Sequence, residues 1–374
     1  MKATLLTTPE QLSALAPAWN DLLSRSRDNG MSLTPTWVLT WWRIFGKDRG
    51  RRLRCVAFHE GERLVGFAPL TWRRHWYRPA LPFRRLEFLG TGELPDEAIC
   101  PEYLNVIAEE GREVEVATAL ADEIYANRLG GWDEVFLETL AGDSAMTAAL
   151  ATALASPPSG RRSALTREEY DTSFFVALPK THDEYLTAIG KQRKPSLRAL
   201  RNFDEWATGE WQLHTATDTA SLAAGNAALL SLHQGRWAGT GQGTFKAAKF
   251  IAFHESLMPA LLAEGKLQLA WLTVRDEPVV AAYNFVHAGK VWYYQTGRKL
   301  EVPPKIRLGV VLLLKLIFDA IDRGHREFDF LPGVALYKEQ LATASRPIVR
   351  LRLARPTWVE SLRAWSRRWL RRGT

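Results

Sequence analysis

Val291-Trp292-Tyr293-Tyr294-Gln295-Thr296-Gly297, followed at Lys305-Ile306-Arg307-Leu308-Gly309 by the opening of an apolar helix, is the stretch on which the fold turns. The first segment reads as a strand and the second as a basic loop ending in a helix N-terminus. Free backbone N–H groups and the helix dipole face such a loop together, so it forms a cradle for an anion such as a cofactor pyrophosphate. Taken alone, the pattern also fits a simple βα connection punctuated by Pro303-Pro304 and Gly309.

Around this stretch, 267–274 and 278–286 flank Arg275-Asp276-Glu277 as a hairpin, 290–297 adds a third strand, and the helix at 308–322 leads to a strand at 326–331. Upstream lie a strand pair around 165–178, a basic helix at 191–206 and long helices at 220–237 and 246–264. The first half has the same order. Helices behind Thr8-Pro9 and at 35–45 precede a hairpin of 53–58 and 63–71 about Glu60-Gly61-Glu62, short strands at 86–89 and 103–107, a helix at 114–127 and a strand at 132–138. Gly131 and Gly324, and Glu134 and Glu327, share a constant offset of 193 residues, which reads as a duplicated α/β unit. Ser156-Pro157-Pro158-Ser159-Gly160 has the composition of a linker. The expected organisation is therefore a domain at 1–155, a linker at 156–163, a second domain at 164–355 and a basic C-terminal helix at 356–374.

The chain has 374 residues, with 46% hydrophobic, 24% charged and 11% aromatic residues, the composition of a globular protein with room for two cores. Cys55 and Cys100 show no ligand spacing, so neither a disulfide framework nor a metal module is expected. The N-terminal residues lack an export-signal pattern, and the apolar run at 309–314 is far too short to span a bilayer, so a cytoplasmic location is expected. His254-Glu255 lacks the second histidine of a zincin. No P-loop or GxSxG motif occurs, and the glycines of 239–243 follow a helix where a dinucleotide fingerprint must leave a strand.

Leu232-His233, Arg236-Trp237, Gly241 to Phe245, Ala281-Ala282-Tyr283, Tyr293 to Gly297, Gly309, Phe328-Asp329-Phe330-Leu331 and Tyr337-Lys338 occur in the order and spacing of a known superfamily. In these residues the second half resembles the GNAT acyltransferases, and among them the CelD/BcsL-like group associated with cellulose and exopolysaccharide biosynthesis and related to Fem-type transferases. The resemblance implies tandem GNAT-like α/β domains, each with a mixed, mostly antiparallel sheet flanked by helices. It implies an acyltransferase in which a hydroxyl or amine of a saccharide or envelope precursor attacks acyl-CoA, acetyl-CoA first among donors, with no metal. Two departures stand out. Arg307-Leu308-Gly309 replaces the usual Ser-Pro-Gly, and Val334-Ala335 stands where an acidic pair commonly precedes the Tyr-Lys motif, which leaves a non-catalytic accessory role open.

Under this resemblance Gln295, Arg307, Leu308, Gly309 and Val310 are expected to bind the cofactor, the strand at 292–295 donating a backbone N–H to the oxyanion. Arg236, Trp237, Tyr283, Tyr294 and Lys338 are expected on the acceptor. Direct attack needs no enzyme nucleophile, but a base assists it. His233 is one candidate, since imidazole titrates near neutral pH, although a packing role fits equally. Asp329 alternates with Phe328 and Phe330, so it is either a base or the partner of Lys338 or Arg326. Tyr337 could protonate the leaving thiolate or belong to the core.

Lys191, Arg193, Lys194, Arg198 and Arg201 form a basic run that is either a solvated helix face or a surface for phosphate. In Fem-like relatives the donor is aminoacyl-tRNA, and this run keeps tRNA as an alternative partner. Trp358, Leu362, Trp365 and Trp369 share a narrow arc at helical spacing, with Arg363, Arg367, Arg368, Arg371 and Arg372 outside it. Such a helix suits an anionic membrane surface or packs its Trp face on the protein. The formal charge of +8 lies in the C-terminal residues as a whole. Residues 346–374 hold nine Arg and one Glu, and the remaining 40 basic and 40 acidic groups cancel.

Overall fold

Local chemistry sets the element boundaries. Thr8 and Gln11 close a capping box on the first helix, and Thr34 caps the second with Pro35 in its first turn. Arg275 and Asp276 both take positive φ, 50° and 62°, which a tight hairpin between two twisted strands requires. The computed structural model describes residues 1–77, 80–160, 162–237, 245 and 247–370, the side chains of 235–237 and 366–370 excepted.

In chain order the first elements are β1 (Lys2–Leu6), α1 (Pro9–Ser24), α2 (Pro35–Phe45), β2 (Arg52–Leu53), β3 (Cys55–Glu60), β4 (Arg63–Ala68), β5 (Leu70–Tyr77) and β6 (Leu81–Phe88). There follow β7 (Ile107–Ala108), α3 (Glu113–Tyr125), β8 (Glu134–Ala141), α4 (Ala145–Ala155), β9 (Ala164–Ala177), α5 (His182–Ala188), α6 (Arg193–Ala207) and β10 (Trp211–Thr215). The last are α7 (Thr219–Trp237), α8 (Ala248–Ala263), β11 (Leu267–Val274), β12 (Glu277–His287), β13 (Lys290–Arg298), α9 (Leu308–Asp322), β14 (Glu327–Pro332), α10 (Leu336–Leu341), β15 (Ala344–Ala354) and α11 (Trp358–Leu370).

The chain divides into two compact units. The first comprises Met1–Glu93, Ala98–Asp171 and Pro347–Thr374, and the second Leu94–Glu97 and Thr172–Arg346. In the first, one sheet runs β1-β3-β4-β7, and a further set of strands pairs in the order β2-β5-β6-β8 with β15 beyond β8. In the second, the order is β10-β11-β12-β13-β14, with residues 173–177 of β9 beyond β14. Both units repeat one device. A helix leads to a strand that pairs parallel on one side, β8 with β6 or β14 with β13, and antiparallel on the other, with β15 or β9. This is the tandem mixed α/β architecture, with mostly antiparallel strands.

Three expectations change. The 156–163 linker lies inside the first unit, because α4 ends there and the chain continues into β9 before crossing at Asp171. The last strand of that unit comes from residues beyond Pro347, so the units are not consecutive in sequence. The strand pair around 165–178 is one long strand, β9, and of the strand expected at 103–107 only Ile107–Ala108 forms. In the second unit α9 buries ten of its 15 residues between the sheet and α6, so packing along its length fixes where its N-terminus lies.

Candidate functional site

Parallel pairing between β13 and β14 runs from Lys290/Glu327 to Trp292/Asp329 and stops there, while β13 continues to Arg298. The two strands therefore part within the sheet. Across β12, Gln295 pairs with Tyr283 and Tyr293 with Asn284, which leaves Tyr294 as the extra residue of a bulge. A bulge at this point bends β13 and releases main-chain groups from the ladder where the strands separate.

Beside the opening lies a cavity of about 410 Å³ lined by Tyr293, Thr296, Arg298, residues 306–310 and Tyr337. The expected cradle residues Arg307, Leu308, Gly309 and Val310 all line it; Gln295 does not. No side chain caps α9, and a Cβ built at Gly309 meets nothing within 4 Å, so the first turn of the helix is open to the cavity. Arg298 and Arg307 bring two guanidinium groups and no carboxylate lines the wall among the described residues, a charge balance that suits a negatively charged ligand.

On the other face of the same strands, a buried histidine that sequence reasoning passed over joins two expected residues. His254 Nδ1 lies 3.2 Å from Tyr283 Oη and Nε2 lies 3.1 Å from Tyr294 Oη. Burial alone holds the His254 imidazole down to about 3, so it is neutral, and one ring nitrogen donates while the other accepts. Phe245, Phe250 and Phe253 pack around the ring, which gives it that dry setting. Tyr283 is fully buried and Tyr294 half-buried, so the chain of hydrogen bonds runs from the core to an accessible phenol. The sequence signal for this site is the spacing of Phe250 and Phe253 around His254, which the incomplete metal motif of His254-Glu255 masks.

His233 is buried on α7, edge-on to Phe245 at 5.0 Å. A Cβ at Gly297 would sit 2.5 Å from the His233 amide nitrogen, so glycine there lets α7 lie directly on β13. Asp329 is fully buried at the end of the β13/β14 pairing. It accepts 2.9 Å from Ser173 Oγ and 2.7 Å from the Leu331 amide, and Leu331 adopts a left-handed φ of 61°. Lys338 Nζ donates to the Leu331 and Pro332 carbonyls, both at 2.8 Å. These two residues therefore hold the turned end of β14, and Val334 of the Val334-Ala335 pair is exposed just beyond it. The side chains of Arg236 and Trp237, with Gly241 to Thr244, lie outside the described residues. Lys191, in the turn before α6, and Lys194, Arg198 and Arg201 on it are exposed, and Asn202 Nδ2 reaches the Lys305 carbonyl at 3.4 Å, placing the basic helix against the loop that precedes α9.

Residues 190–339, which contain the cavity and most of the expected site, match the sequence family described as "Acetyltransferase (GNAT) domain". Among solved structures the chain is similar to FemX, at 12% identity and a TM-score of 0.60, covering 94% of this chain and 97% of that one. It is similar to the C-terminal domain of a putative lysylphosphatidylglycerol synthetase from Agrobacterium fabrum, at 9% identity and 0.54, covering 95% of each chain. L-PGS from Bacillus licheniformis gives 13% identity and 0.53, covering 92% of this chain and 91% of that chain. No protein of curated function matches at the sequence level. These structural likenesses establish the fold, and the domain match supports a transferase built on it; they do not single out the CelD/BcsL-like group.

Proposed function

We propose that the second unit transfers an acyl group from acyl-CoA, acetyl-CoA first among candidates, to a hydroxyl or amine of a saccharide or envelope precursor. The observation that carries this reading is the anion-accepting cavity at the open N-terminus of α9, beside strands that part after Trp292 and Asp329. Amides of 308–310 and the guanidinium groups of Arg307 and Arg298 hold the pyrophosphate. The pantetheine arm enters between β13 and β14 and carries the thioester toward the face bearing Tyr294 and His254.

The acceptor attacks the thioester carbonyl, the new N–C or O–C bond forms, and the C–S bond breaks as CoA leaves. A main-chain N–H freed at the Tyr294 bulge stabilises the oxyanion. His233 takes the acceptor's proton, and Tyr337, at the cavity wall, returns one to the thiolate. His254 stays neutral and fixes the Tyr294 hydroxyl against the acceptor. The saccharide class rests on the resemblance to exopolysaccharide proteins.

A second reading draws on the exposed basic face of α6 beside the loop before α9, which suits transfer from aminoacyl-tRNA. Binding of acetyl-CoA, a long-chain acyl-CoA and aminoacyl-tRNA to the full chain separates the two. Saturable CoA binding without RNA is expected. RNA-dependent transfer with no CoA binding would replace the first reading with the second, and binding of neither donor would leave an accessory role.

A further inference from the structure

The Trp stripe of α11 faces away from the protein. An amphipathic helix packed on its own body turns its apolar arc inward, and Trp358, Leu362, Trp365 and Trp369 span about 60° of that wheel. The structure does the reverse. Trp358 is 71% exposed, Trp365 64% and Leu362 43%, whereas Val359 and Arg363 are at 9% and 8%. The side chain of Trp369 lies outside the described residues.

What holds this orientation is a chain of ion pairs. Glu134, fully buried on β8, accepts from Arg85 and Arg352, both at 2.7 Å, and Arg352 reaches on to Glu360 at 2.6 Å. Glu360 also accepts from Arg363 at 2.7 Å, and the Arg363 guanidinium lies 5.3 Å above the Tyr77 ring. Thr357 caps the helix through the Glu360 amide. The side of α11 bearing Glu360 and Arg363 is thus fastened to the first unit, and Trp358 and Trp365 are left exposed to water.

Charge identifies the occupant. The segment 346–374 carries nine Arg to one Glu, and Arg367, Arg368, Arg371 and Arg372 follow the exposed stripe in sequence. On the neighbouring strand Trp76 is 58% exposed. A cavity of about 680 Å³ beside it is lined by Arg49, Arg52 and Arg74, with no carboxylate among the described lining residues; Arg73, also in the wall, is paired with the buried Glu87. The positive field there registers on His75, held down to about 3 first by burial and then by Arg85, Arg73, Arg49 and Arg352. An apolar protein partner would meet the Trp stripe but not the arginines. An anionic lipid surface meets both, since indole rings seat at the headgroup boundary and guanidinium groups pair with lipid phosphates. No helix among the described residues is long and apolar enough to cross a membrane, so contact would be peripheral.

We propose that α11 is an interfacial anchor that docks the first unit on a membrane rich in anionic phospholipid, with Trp358, Leu362 and Trp365 entering the headgroup boundary. Co-sedimentation of the full chain with vesicles of phosphatidylglycerol and phosphatidylcholine, or of phosphatidylcholine alone, tests it. The expected result is at least ~tenfold more protein in the anionic pellet at low salt, falling as salt rises. Trp358→Ser with Trp365→Ser should lose most of that binding, about tenfold or more. Arg367→Gln, Arg368→Gln, Arg371→Gln and Arg372→Gln together should lose its preference for anionic lipid. Both variants should keep the wild-type melting temperature, and because the second leaves Glu360 and its partners intact it tests the anchor even if the first unfolds. Equal pelleting with both vesicle types, wild-type binding by either variant, or a Trp-dependent dimer that forms without lipid and leaves vesicles in the supernatant would overturn the proposal.

Discussion

His254 illustrates how one residue can be structurally central and silent in sequence. Its neighbours in the chain suggested only an incomplete metal motif, whereas its partners, Tyr283 and Tyr294, come from strands 29 and 40 residues later. Replacing it by Phe would leave the buried Tyr283 hydroxyl without this partner, at a cost of about 1–3 kcal/mol, and remove the hydrogen bond from His254 to the Tyr294 hydroxyl. Turnover should fall while acetyl-CoA affinity stays, a split that steady-state kinetics and calorimetry would read. The same residue has a pH signature. Because the folded imidazole is held near 3 and an ordinary one near 6.5, the unfolded chain binds a proton that the folded chain does not between those values. Stability from this site is complete above about 6.5 and declines as pH falls toward 3, so melting curves from pH 7 to 4 should be flatter for His254→Gln than for wild type. Gly297→Ala makes a contrasting prediction. Its Cβ would meet main-chain atoms of Leu232 and His233 below 3.0 Å, so α7 must lift from β13 and thermal stability should drop by about 1–3 kcal/mol or more.

At the scale of elements, the strand at 290–297 and the helix at 308–322 were legible because their periodicities differ and a basic loop separates them. The bulge at Tyr294 and the parting of β13 from β14 were not legible, since register is settled by partners far away in sequence. Gly309 tests the role assigned to α9. Alanine there meets nothing in the protein and should raise helix stability by up to about 1 kcal/mol, yet its methyl would stand where a pyrophosphate approaches the amides. A variant with an equal or higher melting temperature and weaker acetyl-CoA binding is expected; unchanged affinity would remove the pyrophosphate from this turn. In α11, burial pushes the Glu360 carboxyl up, but hydrogen bonds and charge from Arg363 and Arg352 outweigh it and bring it down to about 2. Its contribution to stability is present above its usual 4.5 and is lost as pH falls toward 2. Glu360→Gln should therefore lower the melting temperature at pH 7 and narrow its gap from wild type in strong acid.

For the whole molecule, the repeated order of helix, glycine and strand at an offset of 193 residues anticipated two units of one architecture. Both contain, after a helix, a strand flanked by one parallel and one antiparallel neighbour, β8 in the first and β14 in the second. What composition and turns could not reveal is that the chain closes its first unit with β15, because a proline-glycine stretch marks a break in local structure and says nothing about distant pairing. The excess charge was legible to the residue, and the exposure of the Trp stripe beside it was not, since periodicity identifies an apolar arc without stating which way it turns. In the function proposed, the second unit holds a CoA thioester at the N-terminus of α9. Calorimetric titration of the full chain with acetyl-CoA, wild type against Arg307→Glu, tests it most directly. One saturable site is expected in the wild type, with affinity reduced by about tenfold or more in the variant at unchanged melting temperature. No binding heat in the wild type, or equal affinity in both, would contradict it.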